Sequence, residues 1–313
     1  MSEEKALDEL EKELWQRAAN NEGSIRADAY IGLSRIAFDK GKFKESLALC
    51  ESARDIFEGE DRSQYQREIF EVSVGISKNY GELKLAGQAA KALGEAIEIA
   101  EIIGIEEVDD LHRDQGRLFF DAGEYENSIA AHQRAIESTH KYFRDESVGI
   151  DYFNIAMGLY ELERYGESID AYLISRQGFA ADKEIANVAD CDYRICGNYA
   201  KLEDAVQIEY YGRRALDFYT ILSDYRKMWN LKYYFGIAAK ALGELEKAGE
   251  LFQEAKNLAH AMGWQEWDFL IAVEKECAYL CEANGMSDQA KEILRRIASV
   301  EEIVNVAVIH EAA

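Results

Sequence analysis

Apolar residues recur along the chain at helical spacing, in stretches broken by short polar turns. Leu7, Leu10, Leu14 and Ala18 form one such stripe, which Asn20-Asn21-Glu22-Gly23-Ser24 ends. The turns between later stretches resemble one another. Gly41-Lys42-Phe43-Lys44-Glu45-Ser46 and Gly123-Glu124-Tyr125-Glu126-Asn127-Ser128 share a layout, and each has Ala seven residues beyond its Ser, at Ala53 and Ala135. Glu163-Arg164-Tyr165-Gly166-Glu167-Ser168 and Gly243-Glu244-Leu245-Glu246-Lys247-Ala248 repeat it, leading to Ser175 and Ala255.

Extending this register gives three parallel columns. The first is Ser34, Ser77, Gly116, Ala156, Cys196, Gly236 and Ala278. The second is Ser46, Ala89, Ser128, Ser168, Ile208, Ala248 and Ala290. The third is Ala53, Ala96, Ala135, Ser175, Ala215, Ala255 and Ile297. All three step by 43, 39, 40, 40, 40 and 42 residues, and of the 21 positions only Ile208 and Ile297 are bulky. Two antiparallel helices joined by a short turn approach closely only where one lacks a large side chain at the crossing. Larger neighbours such as Leu33, Phe43 and Leu47, or Phe235, Leu245 and Phe252, then fill the space around it. Each unit is therefore expected to be a helical hairpin. One hairpin cannot bury both faces, so successive units stack into a solenoid with a continuous core.

The layout resembles the tetratricopeptide repeat (TPR) family over roughly residues 25–300, with the clearest units running from Leu33-Ser34 to Ala53, Gly116 to Ala135 and Phe235-Gly236 to Ala255. The common repeat is about 34 residues long and ends in Pro. Here the period is near 40 and the chain has no Pro at all. The second helix runs on instead, as from Ala96 to Gly104 and from Ala255 to Gly263, which resembles the long-repeat branch of the family. The resemblance implies an all-α fold: a right-handed superhelical solenoid of about seven TPR-like hairpins with terminal capping helices. The expected division is an N-terminal helix over 1–22, then repeats over 23–61, 62–105, 106–145, 146–183, 184–223, 224–264 and 265–299, and a capping helix over 300–313. Val300, Ile303, Val304, Val306, Val308 and Ile309 are too apolar for a solvated tail; covering the last hairpin is one reading, a homodimer contact through this helix the other.

Composition narrows the job. With 36 Lys+Arg against 60 Asp+Glu the net charge is −24, which argues against a nucleic-acid backbone or an anionic membrane as main partner. No apolar run reaches the ~20 residues of a membrane span, and Met1-Ser2-Glu3-Glu4-Lys5 begins no apolar leader, so a cytoplasmic protein is expected. The five cysteines are scattered without a C-x-x-C pair, as in a reducing compartment. Cys277 and Cys281 share a helix face but have no His near them in sequence, so no metal or cofactor is expected.

Catalytic signatures are missing: no G-x-S-x-G, phosphate loop, H-E-x-x-H or G-x-G-x-x-G. His132 falls where Tyr172 and Phe252 fill the core of other units and is read as a packed side chain. The acidic pairs Glu106-Glu107 and Asp109-Asp110 precede a helix, where carboxylates favour the positive end of the dipole. The expectation is no enzyme.

What remains is the concave face, lined by the first helix of each hairpin in proteins of this family. Positions around the small column place Arg35, Lys78, Arg113 and Arg117 in its first half and Phe120, Phe153, Tyr160, Tyr193 and Tyr233 in its middle. One reading is a peptide site with cationic hooks and aromatic plates. The other is local pairing, since Asp110 and Asp114 lie three residues before Arg113 and Arg117, with the tyrosines packing between helices. Chaperone-tail-binding members use a Lys/Asn clamp and polarity adaptors an Asn ladder. Here Asn154 stands alone in the corresponding column, so neither ligand class carries over. The function expected first is an adaptor that binds a peptide segment of another protein, with acidic and aromatic or apolar character, in this groove. A ligand-sensing regulator that changes shape and a structural subunit of a larger assembly are the alternatives.

Overall fold

A computed structural model describes residues 3–60, 62–106, 108–141, 148–261 and 267–311. The described residues form fifteen helices and no strand. They gather into two compact units, Met1–Glu163 and Arg164–Ala313. The first holds α1 (Glu3–Asn20), α2 (Gly23–Asp39), α3 (Phe43–Gly59), α4 (Gln66–Glu82), α5 (Ala86–Ile102), α6 (Val108–Asp121), α7 (Tyr125–Lys141) and α8 (Gly149–Glu161). The second holds α9 (Tyr165–Ala181), α10 (Ile185–Lys201), α11 (Ala205–Leu222), α12 (Tyr225–Ala241), α13 (Leu245–Ala261), α14 (Trp267–Ala283) and α15 (Ser287–Glu311). In the first unit α2 packs on α3, α4 on α5 and α6 on α7; in the second the same holds for α10 and α11, α12 and α13, α14 and α15. The architecture is an all-α helical repeat of TPR-like hairpins.

The small columns explain the pairing. All 21 of their residues are buried. The first and second columns meet across the hairpin: Ser46 Oγ donates to the Ser34 carbonyl and Ser77 Oγ to the Ala89 carbonyl, each at 2.8 Å. Cys196 Sγ reaches the Ile208 carbonyl at 3.6 Å in the equivalent place. At Gly236 the reason for a small residue is direct, because a Cβ there would sit 2.4 Å from the Phe252 ring.

The turns follow the same period. Gly41, Lys84, Gly123, Glu163, Glu203, Gly243 and Gly285 all have φ between 54° and 76°. Each is the left-handed residue that lets the chain reverse after a helix. After α2, for example, Lys42 N–H bonds the Ala37 carbonyl and Gly41 N–H the Phe38 carbonyl, both at 2.8 Å, which satisfies carbonyls the helix end leaves open. Neither Pro nor a longer loop is needed. Most helices have 17 residues, so the repeat exceeds the common length because both helices of a hairpin are long.

Cores are local to each unit. In the first, Phe57, Ile69, Val72 and Ile76 cluster between α3 and α4. In the second, Trp229, Leu231, Phe235, Phe252 and Tyr219 dominate. Ahead of the first hairpin, α1 lays Leu14 against Gly32 of α2. At the other end α15 continues without a break from the last hairpin through the segment expected as a separate cap, to Glu311. The side chains of 302–313, and with them the choice between a cap and a dimer contact, lie outside the described residues.

Candidate functional site

In the first unit the first helices of successive hairpins, α2, α4, α6 and α8, wall a groove of about 840 Å3. Its position follows from the repeat. The residue after each small one and the residue four beyond it project from the same side of the helix. Lys78, Arg117 and Met157 come from the former set, and Phe38, Gly81 and Phe120 from the latter. Phe38 and Phe120 are held edge-on by Phe43 and Tyr125, each with ring centroids 5.3 Å apart. Gly81 lies in the layer between them, and a Cβ there would meet no atom within 4 Å. The result is an open, apolar-walled slot. Asn154 on α8 lines it, and Ser128 and His132 reach it from α7. A second hollow of about 510 Å3 shares Phe38, Val74, Lys78 and Leu111 with it and adds Arg35.

The charges differ from the expected cationic track. Arg117 bonds Asp114 at 2.5 Å, and Arg35 faces Glu71 at 3.4 Å; both pairs are well exposed. Lys78 makes no ion pair among the described residues and lines both hollows. Glu82, Asp114 and Asp121 line the groove as well, against Lys78 and Arg117. Carboxylates therefore slightly outnumber cations on the walls, and Lys78 is the cation left for a ligand.

Arg113 does not line the groove. Its guanidinium bonds Asp109 and Asp110 at 2.9 Å, Asp151 at 3.1 Å and Thr139 at 3.0 Å. Burial works against its charge, but Asp151, Asp110 and Asp109 outweigh that and raise its pKa. The pairing with Asp110 was legible from spacing. The deeper partners, Asp109 and Asp151, both fully buried, were not. Asp151 also holds His132, with Nδ1 3.0 Å from its Oδ1. One sequence signal points to this cluster: Asp109, Asp151 and His132 each occupy positions that are mostly apolar in the other units.

The remaining candidates fall elsewhere. Phe153 and Tyr160 on α8 are half-buried and do not line the groove. Tyr193 and Tyr233 belong to the second unit, where both pack beside its core. The Tyr193 hydroxyl accepts a hydrogen bond from Asn230 at 2.7 Å, and burial raises its pKa. The Tyr233 ring lies 5.8 Å from that of Phe252. Packing accounts for both tyrosines. Lys78, Arg117, Phe120 and Asn154 thus come together, with Arg35 in the adjoining hollow.

No protein-family model and no curated protein matches the sequence. Solved structures do match. One is a signal transduction ATPase with numerous domains, carrying a tetratricopeptide repeat sensor, from Pyrococcus horikoshii: TM-score 0.62, 16% identity, over 96% of this chain and 45% of that one. This chain therefore spans under half of that protein's length. The apo form of RapI matches with TM-score 0.57 and 13% identity, over 89% of this chain and 98% of that one. The C-terminal part of a TPR repeat-containing protein from Cytophaga hutchinsonii matches with TM-score 0.56 and 14% identity, over 85% and 93%. At these identities the likeness defines the fold, and the class is a TPR-like helical repeat protein. Among the described residues no helix is long and apolar enough to cross a membrane, and no group of three or more His, Cys, Asp or Glu could hold a metal ion.

Proposed function

We propose that this chain is a non-enzymatic adaptor that binds a short extended segment of a partner protein in the groove of its first unit. The observation that carries the reading is Lys78, a cation with no ion pair among the described residues, on the wall of an apolar slot in a strongly acidic protein. A segment with one carboxylate for Lys78 and an aliphatic or aromatic anchor for the space between Phe38 and Phe120 matches those walls. Affinity then comes mainly from the buried anchor, and the charge fixes register. A repeat period of 39 to 43 residues supports placing the chain in the long-repeat branch of TPR proteins.

A displayed dodecapeptide library selected against the full chain tests this. Enriched peptides should carry the carboxylate and the anchor, and should lose binding to Gly81→Trp and Lys78→Glu variants that melt like the parent. Gly81 suits the purpose because it lines the slot and a Cβ built there meets no atom of another element within 4 Å. Peptides that bind parent and Gly81→Trp equally would refute the groove as the site. Solution scattering with and without the selected peptide then separates an adaptor from a regulator, since a regulator that works by changing shape must change its dimensions.

A further inference from the structure

The repeat provides its own control for one layer of the first unit. At the position of His132 the other units carry Cys50, Leu93, Tyr172, Gly212, Phe252 and Leu294. At the position of Asp151 they carry Ala29, Val72, Leu111, Cys191, Leu231 and Val273. Only here do a histidine and a carboxylate occupy the two sites, and both are buried, at 1% and 0% exposure. They are bonded to each other through Nδ1 and Oδ1 at 3.0 Å, and the second Asp151 oxygen takes Arg113 Nε at 3.1 Å. A carboxylate accepts, so His132 Nδ1 carries a proton, and a ring with that one proton presents a lone pair at Nε2.

That lone pair has no partner among the described residues. One turn earlier on α7, the buried Ser128 hydroxyl has none either. Its counterpart Ser46 donates to the Ser34 carbonyl at 2.8 Å, so an idle hydroxyl is not a property of the column. Both side chains line the groove. Gly116 is what admits the ring here, because a Cβ there would lie 2.6 Å from Nε2. Buried polar groups are almost always satisfied, and two idle ones on one groove, one turn apart, call for a partner from outside the chain.

We propose that His132 and Ser128 form a subsite for one amide donor and one amide acceptor of the groove's ligand, with Nε2 accepting the N–H and the Ser128 hydroxyl donating to the carbonyl. The inference rests on the groove reading above. An amide fits because it carries one donor and one acceptor on adjacent atoms. A carboxylate has no proton for the lone pair, and an ammonium group has no acceptor for the hydroxyl. The side-chain carboxamide of Asn or Gln turns both groups toward one wall, and so do the N–H and C=O of one residue in an extended segment, whereas those of a single trans peptide unit point opposite ways.

The probe is the dodecapeptide selected on the full chain. Each backbone N–H is replaced in turn by N-methyl, and each Asn or Gln by Leu. One replacement should weaken binding to the parent about tenfold or more, and should cost nothing further against His132→Phe. An N-methyl position identifies the backbone as source, and an Asn or Gln position the side chain. Phe is the residue the repeat itself places over glycine, as Phe252 over Gly236. A readout on the parent needs no variant: in 15N-histidine NMR the His132 Nε2 resonance should move upfield on adding the peptide, while Nδ1 holds. A peptide that is lost on Gly81→Trp yet leaves Nε2 unmoved, with no replacement masked by His132→Phe, overturns the amide subsite and leaves the groove standing. If no selected peptide is sensitive to Gly81→Trp, both fall.

Discussion

Gly81 and Gly236 both lie within helices, and replacing each by Ala should change stability in opposite directions. Removing glycine from a helix interior gains about 0.5–1 kcal/mol, since the unfolded chain loses freedom. Gly81 lies in the last turn of α4 and keeps only part of that gain, but nothing offsets it, because the new methyl group meets no atom of another element within 4 Å. At Gly236 it would lie 2.4, 2.6 and 2.9 Å from three atoms of the Phe252 ring, which is fully buried. Either the ring or the hairpin must shift, and overpacking of this kind costs about 1–3 kcal/mol. After the propensity gain, a net loss of up to about 2.5 kcal/mol remains. Urea unfolding followed by far-ultraviolet circular dichroism measures both variants against the parent. The Gly81→Ala midpoint should rise and the Gly236→Ala midpoint fall. Midpoints that move the same way would refute the crossing geometry on which the repeat is built.

Arg113→Met should destabilise by about 3–5 kcal/mol because it strands the buried Asp109 and Asp151; a midpoint like that of the parent would mean those carboxylates find other partners. Glu203→Gly, at φ 54°, should stabilise by about 1 kcal/mol, and Gly243→Ala, at φ 76°, should destabilise by a similar amount; denaturant midpoints check both. Burial pushes the Cys191 thiol up to about 11 and raises Cys50 as well. At pH 8 both should resist a disulfide reagent until the chain is denatured, and rapid reaction of either in the native protein would contradict their burial.

The repeat was legible because a steric requirement acts identically in every hairpin. A close crossing admits Gly, Ala, Ser or Cys and little else, so the columns were visible without a single conserved motif, and all of their members proved buried. The turns were half legible. Gly41, Gly123, Gly243 and Gly285 announce a left-handed residue, whereas Lys84, Glu163 and Glu203 adopt it without a sequence signal. The groove was harder to read. Residues at the +1 and +4 positions from the small one, such as Lys78, Arg117, Gly81 and Phe120, line it. At the −3 position, Arg113, Tyr193 and Tyr233 turn instead to the margin of the packing. Spacing alone places Arg113 and Arg117 one turn apart on one face. Only the carboxylates contributed by α6 and α8 decide that the first is a structural cation and the second a wall of the groove.

The strongest functional information in such a chain lies where one unit departs from the others. A solenoid core is satisfied by apolar residues, and replacing them with ionisable ones costs stability unless every charge and hydrogen bond is matched. Asp109, Arg113, Asp151 and His132 make that replacement in one layer, and the matching is nearly complete: the guanidinium takes three carboxylates, and one of these also takes the imidazole. His132 Nε2 is left without a partner among the described residues, packed against Gly116 on the groove that Lys78 lines. Cost, incompleteness and location coincide in the same layer, which is what separates a ligand-facing cluster from an internal ion pair such as Asp192 with Arg176 and Arg214 in the second unit, where both carboxylate oxygens are taken.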